Sequence, residues 1–349
     1  MLRSTPVRLI CGFLAALFFS VAAVDGHESS RTLFAIRVGD KEGYIDRSGR
    51  VVIPPKYGLA WNFTEGLASV SLLIRPGYVG EAGFIDETGR LVIPIRFQYA
   101  RAFEKGRAEV ELDGKWGFIN RKGRFIVKPR YEDVHSFNEG LAAVMRGGKW
   151  GYVNHQGREV IAPQYTLTWG FGEGLAGVWQ RAQCGFINRE NKVVIGFRFN
   201  ECGGFHGGPS PVRVGDKWGY VNKKGGWVVT PTFEWAEAFS EGLAAVKLHG
   251  KWGYISSSGK LVIPPRFEDS GPYVKSVGVF SEGLAYVKVG SKWGFINKEG
   301  KFVITPRFTK ASRFSNGMAQ VWDPDCTYID TSGNILWSAG RNPRTDKRN

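Results

Sequence analysis

The chain has 349 residues, 43% of them apolar and 23% charged, a balance that excludes a disordered or collagen-like protein. Lys and Arg number 47 against 32 Asp and Glu, a net charge of +15, and 47 glycines with 14% aromatics point to many short strands joined by tight turns. Four cysteines, with Cys11 inside the first apolar run, exclude a disulfide-framework protein.

Residues 1–26 read as an export signal. Arg3 and Arg8 precede an apolar run from Leu9 to Val24, and small residues follow at Ala22, Ala23 and Gly26. The run is short for a membrane span, an uncleaved N-terminal anchor being the alternative, and no later segment is apolar enough to cross a bilayer.

From residue 27 to about 338 the sequence repeats itself. Gly43-Tyr-Ile-Asp46 returns as Gly83–Asp86, Gly117–Asn120, Gly151–Asn154, Gly185–Asn188, Gly219–Asn222, Gly253–Ser256 and Gly294–Asn297, with a decayed ninth copy at Thr327–Asp330. The usual spacing is about 34 residues, the period expected of a supersecondary unit stacked on its neighbours. Two further series run in phase. One is an apolar pair, a proline and an aromatic, as in Val52–Tyr57, Val92–Phe97 and Val262–Phe267. The other is an aromatic followed by Gly-Leu-Ala, as in Phe63–Ala68, Phe137–Ala142 and Phe239–Ala244.

One unit reads as three strands. Leu141–Met145 is the first, and Gly147-Gly148 is a tight hairpin turn, as are Asp113-Gly114 and His249-Gly250. Lys149–Asn154 is the second strand, with Trp150 and Tyr152 on one face. After the turn His155–Gly157, Arg158–Ile161 is the third, which Pro163 is expected to end. An irregular connection then leads to the next unit. The Trp, the second-strand aromatics, the Val-Ile pair and the Phe before Gly-Leu-Ala form the expected core. Of Cys184, Cys202 and Cys326, the first two lie in one repeat and are the natural pair if a disulfide forms.

Lys115-Trp-Gly117, Lys149-Trp-Gly151, Lys217-Trp-Gly219, Lys251-Trp-Gly253 and Lys292-Trp-Gly294, each followed by an aromatic, an aliphatic and Asn or Ser, resemble the bacterial WG-repeat (KWG-repeat) proteins. The resemblance covers about residues 34–330 and implies an all-β repeat scaffold without a general known activity. Glu42, Ala82, Cys184 and Cys326 replace the Trp, and Gly106-Arg-Ala108 and Gly208-Pro-Ser210 depart from Gly-Leu-Ala. The architecture expected is an open superhelical array of three-stranded meanders, with a closed β-propeller as the alternative.

Charge is written into the repeat. Arg50, Arg90, Arg124, Arg158, Lys192, Lys260 and Lys301 follow the turn of successive units and form a candidate anion-binding ladder. Lys56, Arg96, Arg130, Arg198, Arg266 and Arg307, beside the aromatic of the proline series, form a second series that either extends the ladder or lies over aromatic faces. Glu65, Glu139, Glu173, Glu241 and Glu282 partly offset both.

No catalytic constellation, metal site or cofactor motif emerges. Asp46, Asp86 and Asp330 alternate with Asn and Ser in other copies, so the position wants a turn former rather than an acid. The sequence therefore suggests an exported, non-enzymatic scaffold of the envelope or exterior, without a cofactor, whose partner is a protein or an anionic envelope polysaccharide or glycolipid rather than nucleic acid. A purely structural protein-interaction array is the alternative, and a carbohydrate-active enzyme would need converging carboxylates at a divergent repeat. The insertion 268–279 and the divergent stretch Cys184–Phe205 are the places to look, and residues 339–349 form a basic tail.

Overall fold

The computed structural model describes residues 32–75, 78–269 and 277–339. The export segment 1–26, the tail beyond 339 and most of the 268–279 insertion lie outside the described residues. Two compact units divide between Phe103 and Glu104.

The unit at 133–165 shows the pattern. Leu141–Arg146 and Lys149–Asn154 pair antiparallel in continuous register from Leu141↔Asn154 to Arg146↔Lys149. Gly147 and Gly148 close the hairpin with φ of 59° and 66°, the left-handed pair that a two-residue turn between twisted strands requires. Glu159–Tyr165 is the third strand, and it runs through Pro163 instead of ending there. Its register against the second strand slips, from Tyr152↔Ile161 to Trp150↔Tyr165, so the third strand carries extra residues in a bulge. Proline is tolerated because this is the edge of the sheet and the bulge needs no N–H from it.

That bulge explains the Gly of every Trp-Gly pair. A Cβ on Gly151 would run into the carbonyl oxygen of Ile161 and lie 2.6 Å from the nitrogen of Pro163. Gly43, Gly117, Gly219, Gly253 and Gly294 face their own prolines at 2.6–2.8 Å in the same way. These glycines serve close backbone approach, not turn formation.

The three-strand expectation needs one correction. The connection between units contains a two-residue strand, Asp133–Val134 here, that pairs with the following first strand as Asp133↔Met145 and Val134↔Val144. The sheet therefore has four strands, in the order short strand, first, second, third. Leu167–Thr168, Glu201–Cys202, Trp235–Ala236 and Lys310–Ala311 do the same for their sheets in the second unit, and Leu59–Ala60 in the first. Four antiparallel strands per repeat is the blade of a β-propeller, so the expected three-stranded meander and its open array give way to the propeller-type alternative. Seven of the nine sheets have four strands, and those at 34–57 and 285–308 have three among the described residues; the sheets at 34–57 and 59–97 lie in the first unit, and seven follow in the second, with strands described between Arg107 and Ser338.

The core lies between successive sheets. Tyr152, Ile161 and Tyr165 of one pack with Phe171, Val178 and Ile187 of the next. Trp218, Tyr220 and Phe233 pack likewise with Phe239, Ala244 and Ile255. The second-strand aromatic meets the Phe before the Glu-Gly or Asn-Gly turn at 4.8 Å in Tyr44–Phe63, Phe118–Phe137, Tyr152–Phe171 and Phe295–Phe314, an edge-on or tilted contact that ring quadrupoles favour. Where that aromatic is Tyr, its buried hydroxyl donates to a carbonyl, Tyr152 to Trp169 at 2.7 Å and Tyr220 to Glu237 at 2.8 Å. Cys184 stands where other sheets carry Trp, and it is joined to Cys202, the buried residue of the following short strand. The expected pair forms and links two successive sheets. Cys326 occupies the Trp place in the last sheet as a free thiol, and burial pushes it up to about 11.

Candidate functional site

The turn joining second to third strand is built the same way in each sheet. Asn154 Oδ1 accepts from the amides of Gln156 and Arg158, while the Asn154 amide donates to the Arg158 carbonyl at 2.9 Å. Asn120, Asn188 and Asn222 repeat this, and Asp46, Asp86 and Asp330 use a carboxylate oxygen for it. The position is a turn former, as its alternation with Asn and Ser suggests.

This turn presents the candidate ladder. Arg50, Arg90, Arg124, Arg158, Lys192, Lys260 and Lys301 are all exposed. In the first unit Arg50 pairs with Asp46 at 3.2 Å and Arg90 with Asp86 at 3.1 Å. In the second unit the turn residue is Asn or Ser at these sheets, which keeps the turn and removes the counter-charge. Among the described residues no acidic side chain pairs with Arg124, Arg158, Lys192, Lys260 or Lys301.

The residues that follow are apolar and exposed, which the sequence reading missed. Val193 and Val194 are 52% and 43% exposed, Leu261 and Val262 43% and 41%, and Phe302 and Val303 41% and 46%. In the Val-Ile pair assigned to the core, only the second member is buried, as at Ile161, Ile195, Ile263 and Ile304. The edge strands that follow Arg50, Arg90, Arg158, Lys192, Lys260 and Lys301 thus open with one cation and one or two exposed apolar side chains, whereas Phe125 and Ile126 after Arg124 are half-buried, and Gly226 and Asn334 replace the cation in two other sheets.

The second basic series does another job. Arg130, Arg198, Arg266 and Arg307 lie over the rings of Tyr131, Phe199, Phe267 and Phe308 at 4.9–5.0 Å. Each also donates to the turn-glycine carbonyl of the following sheet: Gly157 at 3.2 Å, Gly225 at 2.6 Å, Gly300, and Gly333 at 2.6 Å. These arginines are staples between sheets, so the reading of this series as a second anion ladder gives way to its aromatic-face alternative.

The glutamate series is structural too. Glu139, Glu173, Glu241 and Glu282 sit at φ of 48–55°, uncommon for a residue with a Cβ. Their carboxylates accept the turn amide of the next sheet: Gly174 from Glu139 at 2.9 Å, Gly207 from Glu173 at 2.6 Å, Gly283 from Glu241 at 3.0 Å and Gly317 from Glu282 at 2.8 Å. Arg189, Lys223 and Lys298 then pair with Glu139, Glu173 and Glu241.

These groups fix how stability responds to acid. Burial would raise the carboxyls of Asp46, Asp86 and Asp330, but hydrogen bonds from the turn outweigh it and hold them below the usual range. Burial holds His155 and His206 below the ordinary imidazole range. Both kinds of shift bind fewer protons in the folded state, so both contributions are present at neutral pH and are lost as pH falls. The thermal midpoint is expected to drop first below about pH 6.5, from the histidines, and again below about pH 4, from the carboxylates. Asp86→Asn, which retains the turn, should remove part of the second drop only. A midpoint that rises on acidification would contradict this.

Among the described residues no group of three or more His, Cys, Asp and Glu could hold a metal ion, and no helix is long and apolar enough to cross a membrane.

Four-stranded blades that succeed one another along the chain, each opening its edge strand at the same exposed turn, define a β-propeller-like repeat protein. The chain belongs to the WG containing repeat family, whose model matches residues 43–72, 83–116, 116–150, 150–179, 185–218, 218–252, 252–293 and 293–321. No curated protein sequence matches it. Among solved structures it is similar to a eukaryotic initiation factor, with 11% identity, a TM-score of 0.62, and coverage of 89% of this chain and 96% of that one. It is also similar to dihydro-heme d1 dehydrogenase NirN in complex with DHE, at 12% identity and a TM-score of 0.44 over 91% and 75% of the two chains. PorZ of the type-IX secretion system of Porphyromonas gingivalis is another, at 11% identity and a TM-score of 0.33 over 90% and 53%. At these identities the first likeness speaks to fold alone, and the other two carry no argument.

Proposed function

We propose that the chain is a non-enzymatic binding scaffold, exported to the envelope or exterior, that engages an anionic glycan along its basic turns. The observation carrying this reading is that Arg124, Arg158, Lys192, Lys260 and Lys301 occupy one position of a repeated turn, exposed and with no acidic partner among the described residues. Like charges held at one period attract a polymer with regularly spaced anions and raise its local concentration. The exposed apolar residues beside Arg158, Lys192, Lys260 and Lys301 offer surface for the apolar faces of sugar rings. Export rests on the basic start and apolar run of residues 1–26. A second reading, an array that binds protein, draws on the same exposed apolar pairs, which suit a protein partner equally well.

The test is binding of polygalacturonate to the full chain at about 50 and 200 mM salt, where screening lengths differ about twofold. Binding that weakens with salt, and falls at least tenfold (roughly 1.4 kcal/mol) when Arg124, Arg158 and Lys192 become Ser, is the expected result. No binding to polygalacturonate by the folded wild type would end the glycan reading and leave the protein array.

A further inference from the structure

The glutamate series of the second unit is interrupted at Lys105 and at Gly207, and only at Lys105 does the replacement carry the opposite charge. Glu139, Glu173, Glu241 and Glu282 each reach the turn amide of the next sheet. At the same place before the first sheet of this unit stands Lys105, with the same left-handed φ of 50°. The turn amide that a glutamate at 105 would cap belongs to Gly140, and among the described residues no carboxylate reaches it. Two residues on, where Leu141, Leu175, Leu243 and Leu284 are buried aliphatics, the chain carries Arg107. The turn position from which Arg189, Lys223 and Lys298 pair with their glutamates is held by His155.

These groups converge. The Arg107 guanidinium lies 5.4 Å from the centre of the Phe137 ring, and the His155 imidazole stacks on the same ring at 4.9 Å. His155 Nε2 is 3.7 Å from the point where a Cβ of Gly140 would stand. Arg107 Nη1 donates to the Lys105 carbonyl at 2.8 Å, which ties the two cationic residues together. Arg107 Nε and His155 Nδ1 are buried and have no hydrogen-bond partner, an uncommon state for buried polar atoms. Burial first, then the charges of Arg107 and Lys105, hold His155 below the ordinary imidazole range, so these charges act at the imidazole.

We propose that this site, formed by Lys105, Arg107, His155 and the Gly140 amide, binds a glutamate side chain of a partner polypeptide. A carboxylate is the chemistry that satisfies a lysine, a guanidinium and a turn amide together. A glutamate is favoured because four sister sites in this chain hold one: Glu241 takes the Glu282 amide at 2.7 Å and the Gly283 amide at 3.0 Å on separate oxygens. The site is independent of the basic ladder, since Arg124, Arg158 and Lys192 take no part in it.

The experiment titrates the full chain with acetylated tetraglutamate, following the His155 imidazole resonances by NMR, with tetraglutamine and a galacturonate tetramer as parallel arms. Saturable shifts with tetraglutamate, absent with tetraglutamine, are expected. Lys105→Glu supplies the missing intrachain carboxylate and should abolish binding while raising the thermal midpoint. Arg107→Leu restores the residue of the sister repeats and should weaken binding at least tenfold without loss of fold. No saturable shift in the wild type, or unchanged binding in Lys105→Glu, overturns the site. Equal or tighter binding of the galacturonate overturns the polypeptide as its source. Both variants keep Arg124, Arg158 and Lys192, so failure here with salt-sensitive polygalacturonate binding intact sinks this inference alone.

Discussion

Replacing Gly151 by Ala is expected to destabilise the protein by about 3 kcal/mol, the upper end of what overpacking costs. The added methyl has nowhere to go. It meets the carbonyl of Ile161 and the nitrogen of Pro163 at 2.6 Å, and both are backbone atoms of a bulge pinned by the edge-strand register. Relief requires the third strand to lift, which breaks the Tyr152↔Ile161 pairing and opens the core shared with the next sheet. Gly148→Ala is the control. Its Cβ would meet nothing within 4 Å, and only its φ of 66° opposes the change, a cost of about 1 kcal/mol. Denaturant unfolding of the two variants checks this; equal losses would show that the Trp-Gly glycine is needed for conformation and not for close approach.

Trp252→Ala should cost about 4 kcal/mol, in the range for emptying a buried aromatic site. Trp252 is fully buried and packs with Phe267 of its own sheet and with Val277 and Phe280 ahead of the next. Its Nε1 donates to Asp269 at 2.7 Å, and Asp269 also pairs with Lys247 at 2.7 Å, so the truncation removes a hydrogen bond from a partly buried carboxylate as well. The chain shows how a small residue is accommodated here: at Cys184 the missing indole is matched by Cys202 reaching in from the next short strand. At Trp252 the described residue ahead of the next sheet is Val277, an aliphatic already packed in the same core. Calorimetry or chemical unfolding of Trp252→Ala beside Trp252→Phe measures the loss, and a change below about 1 kcal/mol would mean the neighbouring sheets collapse to fill the space.

The parts of the fold visible in the sequence are those fixed by local, repeated chemistry. The strands 141–146 and 149–154 and the turn between them follow from alternation and from Gly147-Gly148. Asp133–Val134 could not be found this way, because a two-residue strand has no period and its copies share only a buried second residue. Pro163 reads as a strand end, whereas an edge position and a bulge let the strand pass through it. The two basic series look alike in sequence. What separates Arg130 from Arg124 is the Gly157 carbonyl of the next sheet, a contact across 27 residues. The site at Lys105 left a visible mark, the departure at Gly106-Arg-Ala108, but its meaning depends on His155 and Gly140 in the following sheet.

The most direct test of the functional account asks whether the place of the charge matters or only its amount. Polygalacturonate affinity is measured for the full chain carrying Arg124, Arg158 and Lys192 changed to Ser, and for a second variant with Lys115, Lys149 and Lys251 changed to Ser. Both lose three positive charges, but the second set stands at the hairpin ends of the second strands, away from the turns. At least a tenfold loss for the first, with the second within about twofold of wild type (roughly 0.4 kcal/mol), is the expected result. Equal losses in both would contradict a basic ladder and leave only the net charge of +15 as the cause of binding.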